Sequence, residues 1–188
     1  MQIYSVQNRV DLKKFIHFPY HLYRDDPVWV PPLRSEQWAQ FEPNKNPMLD
    51  HCETEYFLLE DGKEVIGHCT AFIDHLAVEH WGEPIGLFGS FECMNDPEAA
   101  KMLLEAVREW LLDKGMTTMR GPWSFASQEW GLEIEGGSKP PVIMAPHNPP
   151  YYPAYLEAFG LEKAMDMVAY FGDTGAGYRL PERYLTLT

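Results

Sequence analysis

The stretch IGLFGSFECMNDPEAAKMLLEAVREWLLDKGMTTMR, residues 85–120, decides the fold. Its first nine residues, Ile85 to Cys93, have the composition of a buried strand. Asp96-Pro97-Glu98 then marks a helix start: a capping carboxylate, a proline suited to the first helical position, and an acid in the first turn. Ala99, Ala100, Leu103, Leu104, Val107, Trp110 and Leu111 recur at helical spacing until Lys114-Gly115 closes the helix. Thr117–Arg120 resumes a strand. Strand, helix and strand within 36 residues form a βαβ unit, so its two strands are expected to be parallel, with a right-handed crossover.

Upstream of this unit the clearest signal is a hairpin. Tyr56–Glu60 is expected to meet Lys63–Ile73 across Asp61-Gly62, a dipeptide that supplies positive φ values for a two-residue turn. Val65, Gly67, Cys69, Ala71 and Ile73 would form one small apolar face. A short strand is expected over residues 1–6. A helix is expected over residues 9–18, from the spacing of Val10, Leu12, Phe15 and Ile16. Phe18-Pro19 through Leu33 carries too many prolines for a long helix and too many aromatics for a solvated linker. It predicts a helix end, a turn at Asp26-Pro27, and an extended segment pinned by Trp29, Val30 and Leu33.

Downstream, residues 121–150 are rich in glycine and proline and predict a structured loop region with a short strand at Val142–Ala145. Tyr151–Phe159 fits a helix ended by Gly160, and Leu161–Phe171 fits a strand. Gly172–Gly177 reads as a link, and Leu180–Leu185 as the start of a helix without a closing cap, which suggests that the natural chain continues. The chain thus divides into a domain at 1–171, with a proline- and aromatic-rich insertion at 18–50, and a linker with a helix start at 172–188. The fold class is α/β: a mixed central sheet, made of an antiparallel hairpin plus the βαβ unit, flanked by helices.

Composition narrows the function. In 188 residues, 28 acids face 15 bases, for a net charge of −13. Such a chain repels phosphate backbones and anionic membrane surfaces unless a basic patch offsets the charge, and Lys13-Lys14 is the densest basic pair. The expected partners are small molecules, with neither nucleic acid nor membrane. No apolar run reaches the length of a membrane span. Three widely spaced cysteines, Cys52, Cys69 and Cys93, read as reduced thiols of a cytoplasmic protein. His51-Cys52 and His68-Cys69 invite a metal reading, but adjacent strand residues point to opposite faces and no Cys-x-x-Cys or His-x-x-x-His spacing is present. No metal is expected.

The order of elements resembles the GNAT superfamily of acyl-CoA-dependent N-acyltransferases. Phe18-Pro19 through Leu33, the Asp96-Pro97 helix with Trp110-Leu111 and Gly115, Gly121-Pro122, and Asn148-Pro149-Pro150-Tyr151-Tyr152 with Gly160 look like a bacterial group of longer chains with two GNAT-like halves, of which this sequence resembles the first. The resemblance implies transfer of an acyl group from acetyl-CoA or another acyl-CoA to an amine. It also implies pairing with a second half, or with another copy in a dimer. In that superfamily an Arg/Gln-x-x-Gly-x-Gly/Ala turn before the crossover helix cradles the pyrophosphate of coenzyme A. Here the turn reads Phe91-Glu92-Cys93-Met94-Asn95-Asp96-Pro97-Glu98. It lacks glycine, loses one N–H to Pro97, and carries three carboxylates. Like charges about 5 Å apart at an effective dielectric of about 20 repel by roughly 3 kcal/mol, about two decades of affinity. Any acyl-CoA is therefore expected to bind without the usual glycine-rich loop. On this reading the turn is degenerate, and the alternative is a non-catalytic half that serves as a binding or structural partner.

Ligands of open α/β sheets gather beyond the carboxyl ends of parallel strands, which directs attention to Trp123-Ser124-Phe125-Ala126-Ser127-Gln128-Glu129-Trp130. Trp123 and Trp130 would wall a substrate pocket, with Ser124, Ser127 and Gln128 orienting the ligand and Glu129 acting as general base for an amine. The same aromatics would equally serve to plug the end of the sheet. Asn148 to Tyr155 is similar to the last GNAT motif, in which an Asn precedes a helix whose Tyr protonates the departing thiolate. The resemblance assigns Asn148 and Tyr152 to cofactor binding and Tyr155 to catalysis. In the family the Tyr stands four residues before a Gly, and counting back from Gly160 reaches Leu156, so Tyr155 lies one step off, about 100° around a helix. Tyr151, Tyr152 and Tyr155 would equally serve as core residues with hydrogen-bonded hydroxyls.

Overall fold

The computed structural model describes residues 1–123, 130–143, 145–170 and 172. Five strands, β1 (Gln2–Ser5), β2 (Cys52–Asp61), β3 (Glu64–Asp74), β4 (Ile85–Cys93) and β5 (Thr118–Arg120), form one sheet in sequential order. The first three junctions are antiparallel and β4 pairs with β5 in parallel, from Ile85↔Thr118 to Leu87↔Arg120. The helix of the βαβ unit, α4 (Pro97–Asp113), begins and ends where its signals stand. Asp96 accepts from the Glu98 and Ala99 amides, and Gly115 follows in the left-handed region at φ +80°.

The hairpin forms one residue later than expected. Asp61 pairs with Glu64, so the loop is Gly62-Lys63 rather than Asp61-Gly62. Gly62 takes φ +64° while Lys63 does not share the positive region, the pattern of a turn with glycine first. A register shift between Leu59 and Glu60 adds one residue on β3.

One face of the sheet packs on α4. Cys69, Ala71 and Ile73 of β3 join Leu103, Leu104, Val107 and Leu111 in the larger core cluster. The opposite face is covered by α1 (Arg9–Leu22), with Phe15, Ile16 and Phe18 buried. This helix runs four residues beyond the expected end, through Pro19. Burial of the three side chains, at about 1.5–3 kcal/mol each, outweighs the roughly 3 kcal/mol that an interior proline costs. The Asp26 carboxylate accepts from Val28 and Trp29 amides, making the expected turn. Of the three residues expected to pin the next segment, only Trp29 does so, stacking on Tyr23 at 5.1 Å; Val30 and Leu33 are exposed.

Three short elements escaped the sequence reading: α2 (Arg34–Gln40), a 3₁₀ turn at Pro47–Asp50, and α3 (His75–Trp81), which Asp74 caps directly at the end of β3. The expected helix after the loop region forms as α5 (Tyr152–Phe159), closed by Gly160 at φ +102°. Two expected strands do not form. The described part of 142–145 and residues 161–170 are irregular: neither joins the sheet, whose described strands are β1 to β5, and a β-patterned run without a neighbour gains no ladder. The link and helix start expected from 173 onward lie outside the described residues. No described helix is long and apolar enough to cross a membrane.

Candidate functional site at the end of β4

β4 and β5 part company after Leu87, and the chain returns once, when the Trp123 amide donates to Phe88 O at 2.7 Å. This approach is so close that Gly89 has no room for a Cβ; one placed there would lie 1.7 Å from Trp123 O. Beyond it β4 bulges: His68 pairs with Glu92 but Thr70 with Gly89, and Ser90 takes φ +44°. Bulges of this kind re-aim side chains, and here His68, Ser90 and Glu92 all line one cavity.

That cavity, about 30 Å³, lies between β3, β4, α1 and α2 and is walled by Phe15, Ile16, Pro19 and Phe41, with Gln37 as a further polar group. It has room for about two waters or one small polar group. His68 is 2% exposed, and among the described residues neither ring nitrogen has a partner at hydrogen-bonding geometry. Burial pulls its pKa down to about 3, against a small upward pull from the Ser90 backbone. The ring is therefore neutral and offers one donor and one acceptor to whatever enters.

Glu92 is held by tyrosines. Its Oε2 accepts from Tyr23 at 2.8 Å and Tyr152 at 2.7 Å. The Tyr152 oxygen in turn accepts from the Cys93 amide at 2.7 Å, and Tyr151 donates to Cys93 O at 2.9 Å. Tyr152 of α5 and Tyr151, which precedes it, thus satisfy Cys93 backbone groups where β5 no longer runs. Burial first, then the charge of Glu92, pushes the phenols of Tyr23 and Tyr152 upward, so both stay protonated donors. A carboxylate with two phenolic donors, beside a neutral imidazole, is an arrangement that can receive a proton from an amine.

The expected site residues fall in different places. Tyr152 is buried in the core and its hydroxyl is engaged as described. Tyr155 lies at the surface side of α5 and donates to Asn95 Oδ1 at 2.5 Å, while Leu156 is buried in the core. Asn148 joins two loops: its Oδ1 accepts from the Glu133 amide at 2.7 Å and its Nδ2 donates back to Glu133 O. Trp123 and Trp130 form an isolated bridge with rings stacked at 5.2 Å. Ser124, Ser127, Gln128 and Glu129 lie outside the described residues. Sequence reasoning missed Tyr23 and His68 and counted Glu92 only as an obstacle to phosphate. The pairing of His68 with Glu92 is a cross-strand register, which no local motif announces.

The turn before α4 shows where its charge goes. The Asp96 carboxylate occupies the Glu98 and Ala99 amides at 2.9 and 3.3 Å, and Pro97 has none to offer. Elsewhere, His51, Cys52 and Asp74 bring three metal-type donor atoms within 4.8 Å of one another. The argument from opposite strand faces fails there, because His51 precedes β2 and its ring turns to Cys52 Sγ at 3.8 Å. In this cluster His51 Nδ1 is bonded to Asp74 Oδ1 at 3.0 Å, the same oxygen that caps α3. Burial, with Asp74 adding, pushes the Cys52 thiol up to about 12. His68 and Cys69 do point to opposite faces.

Comparison with known proteins places the fold. No family model matches the chain. It is 39% identical over 165 residues to Protein YghO of Escherichia coli, covering 87% of this chain and 42% of that protein. It is 33% identical over 175 residues to a bacterial ceramide synthase of Caulobacter vibrioides, covering 92% of this chain and 46% of that one. The chain thus spans a little under half the length of the curated relatives it matches. Among solved structures, a probable acetyltransferase superposes with a TM-score of 0.54 at 10% identity, over 92% of this chain and 97% of the other. AAC(6')-Iy, solved with the bisubstrate analogue CoA-S-monomethyl-acetylneamine, superposes with a TM-score of 0.52 at 17% identity over the same shares. With its mixed five-stranded sheet and crossover helix, this chain has the GNAT acetyltransferase fold.

Proposed function

We propose that this domain takes part in N-acyl transfer, moving an acyl group from an acyl-CoA thioester to an amine, with Glu92 as the proton acceptor. The observation that carries this reading is the Glu92 carboxylate, fixed by Tyr23 and Tyr152 and sharing a cavity with neutral His68 where β4 and β5 separate. The amine nitrogen attacks the thioester carbonyl, a C–N bond forms and the C–S bond breaks. The amine proton passes to Glu92, and the departing thiolate takes a proton from a phenol, a role we assign to Tyr155, whose hydroxyl would first leave Asn95 Oδ1. The 33% identity with a bacterial ceramide synthase supports a long-chain amine as acceptor. The solved structures share only the fold.

Transfer is assayed with acetyl-CoA and longer acyl-CoAs against a panel of long-chain amines. Glu92→Gln is expected to lower turnover about 100-fold, the scale of a lost general base, with Tm changed by only a few degrees. Turnover equal to wild type would remove Glu92 from the chemistry. Glu129→Gln, read beside it, tests the loop carboxylate expected from the sequence.

A second reading is favoured by one observation, the Asp96 carboxylate seated on the amides that would otherwise receive a diphosphate. In it this domain is a GNAT-like half that pairs with another half and leaves the cofactor to its partner. Asp96→Ser keeps a capping oxygen and removes the charge. It is expected to tighten acetyl-CoA binding by calorimetry at least 10-fold, since one repulsive contact costs about two decades. Unchanged affinity would place the diphosphate away from the α4 amino end.

A further inference from the structure

We propose that residues 161–170 are a strand awaiting its neighbour, and that the neighbour is a strand from a further polypeptide unit, of the kind that makes up the unmatched part of the longer relatives. This gives the paired-half reading a surface and does not depend on acyl transfer.

Leu161 already packs against the main core cluster, and its amide is fixed to Leu156 O at 3.1 Å. At period two from Leu161 the row reads Lys163, Met165, Met167 and Ala169, apolar from Met165 onward, with Lys163 at its start ion-paired to Asp166 at 2.9 Å. Val168 and Tyr170 fall on the other face. Yet the run lies open to water: Met165 is 77% exposed, Met167 60%, Val168 70% and Tyr170 94%. Four large apolar side chains exposed within six residues mark an interaction surface rather than a solvated loop. A second apolar pair, Val142 and Ile143, is exposed as well. Among the described residues the sheet ends on β5, only three residues long, with no strand on its outer side. Among the described residues the fold therefore presents both a sheet edge without a neighbour and an unpaired apolar segment, the two requirements for strand addition.

Two observations choose the occupant. More than half of each curated relative lies outside the match, since this chain covers 42% and 46% of them. A second copy is the poorer fit, because each copy brings a net charge of −13 and two would repel.

The test grafts this chain, by gene fusion, into the place of the segment it matches in the E. coli relative. Amide hydrogen exchange is then compared with the chain alone. Residues 161–170 are expected to exchange near the unprotected rate in the chain alone and at least 100-fold more slowly in the fusion. Val168→Lys combined with Tyr170→Lys should cancel the slowing, while the amides of Leu103 and Leu104 in α4 stay protected and report an intact core. No slowing in a fusion with a protected α4 would overturn the proposal, as would slow exchange in the chain alone. Protection that grows with the concentration of the chain alone would assign the surface to a second copy and also overturn it. If α4 loses protection in the fusion, the unmatched part is supplied as a separate polypeptide and the same exchange decides. Acyl transfer is not read in any arm, so failure here leaves the Glu92 reading intact.

Discussion

Gly89→Ala is expected to destabilise the domain by about 2–4 kcal/mol. The added methyl would stand 1.7 Å from Trp123 O and 2.7 Å from Trp123 C, a backbone obstacle with no rotamer to move aside. Relief requires the return of the chain at Trp123 to swing away, which breaks its bond to Phe88 O and unstacks Trp123 from the small core of Phe72, Ile85 and Leu87. Overpacking of this kind costs about 1–3 kcal/mol before the lost hydrogen bond adds about 1. Gly86 provides the contrast. A Cβ there would lie 2.2 Å from Leu111 Cδ2, a side-chain atom, so Gly86→Ala should be largely rescued by Leu111→Val. No second-site change of that sort should rescue Gly89→Ala. Equal stability of Gly89→Ala and wild type in urea unfolding would show that β4 and the Trp123 segment are not held together as described.

The βαβ unit was legible because each boundary carried a local signal whose chemistry acts locally: Asp96 capping its own helix, Pro97 at a position that needs no donor, Gly115 turning left-handed. Pro19 shows the limit of that logic. Its penalty is local and readable, whereas the buried faces of Phe15, Ile16 and Phe18 that override it depend on a sheet made by distant residues. The short α2 and α3 gain too little from propensity to announce themselves. The strand pattern at 161–170 was readable as a pattern, but pairing is a property of two segments and only one is described.

The site divides in the same way. The tyrosines following Asn148 drew attention by their motif, and the structure brings Tyr151, Tyr152 and Tyr155 to Cys93, Glu92 and Asn95 at the end of β4. Glu92 was weighed for its charge alone, because its tyrosine partners come from α5 and from the end of α1. His68 sits in a strand whose alternation reads as ordinary. Only the bulge at Ser90, invisible in composition, turns it and Glu92 into one cavity.

His68 gives the remaining large effect, in the acid limb of stability. Its folded pKa is about 3 against an ordinary 6.5, so between those values the unfolded chain binds a proton that the folded chain refuses. Stability then rises with pH through this window, and falls as pH drops below 6.5. At pH 4.5, about two units into the window, the loss through this group is about 3 kcal/mol relative to pH 7.5, at about 1.4 kcal/mol per unit. His68→Leu removes the titration and, because the ring nitrogens make no well-formed hydrogen bond among the described residues, should change stability at pH 7.5 by no more than about 1 kcal/mol. Urea unfolding of both proteins at the two pH values isolates the difference, since carboxylates and the other histidines titrate alike in each. The variant should be the more stable protein at pH 4.5 by about 2–4 kcal/mol beyond any difference at pH 7.5. Parallel losses in the two proteins would mean that the cavity admits enough water, or enough of the Glu92 charge, to let the imidazolium form in the folded state. His68 would then be a cation facing the incoming amine, and Glu92 alone would have to overcome that repulsion.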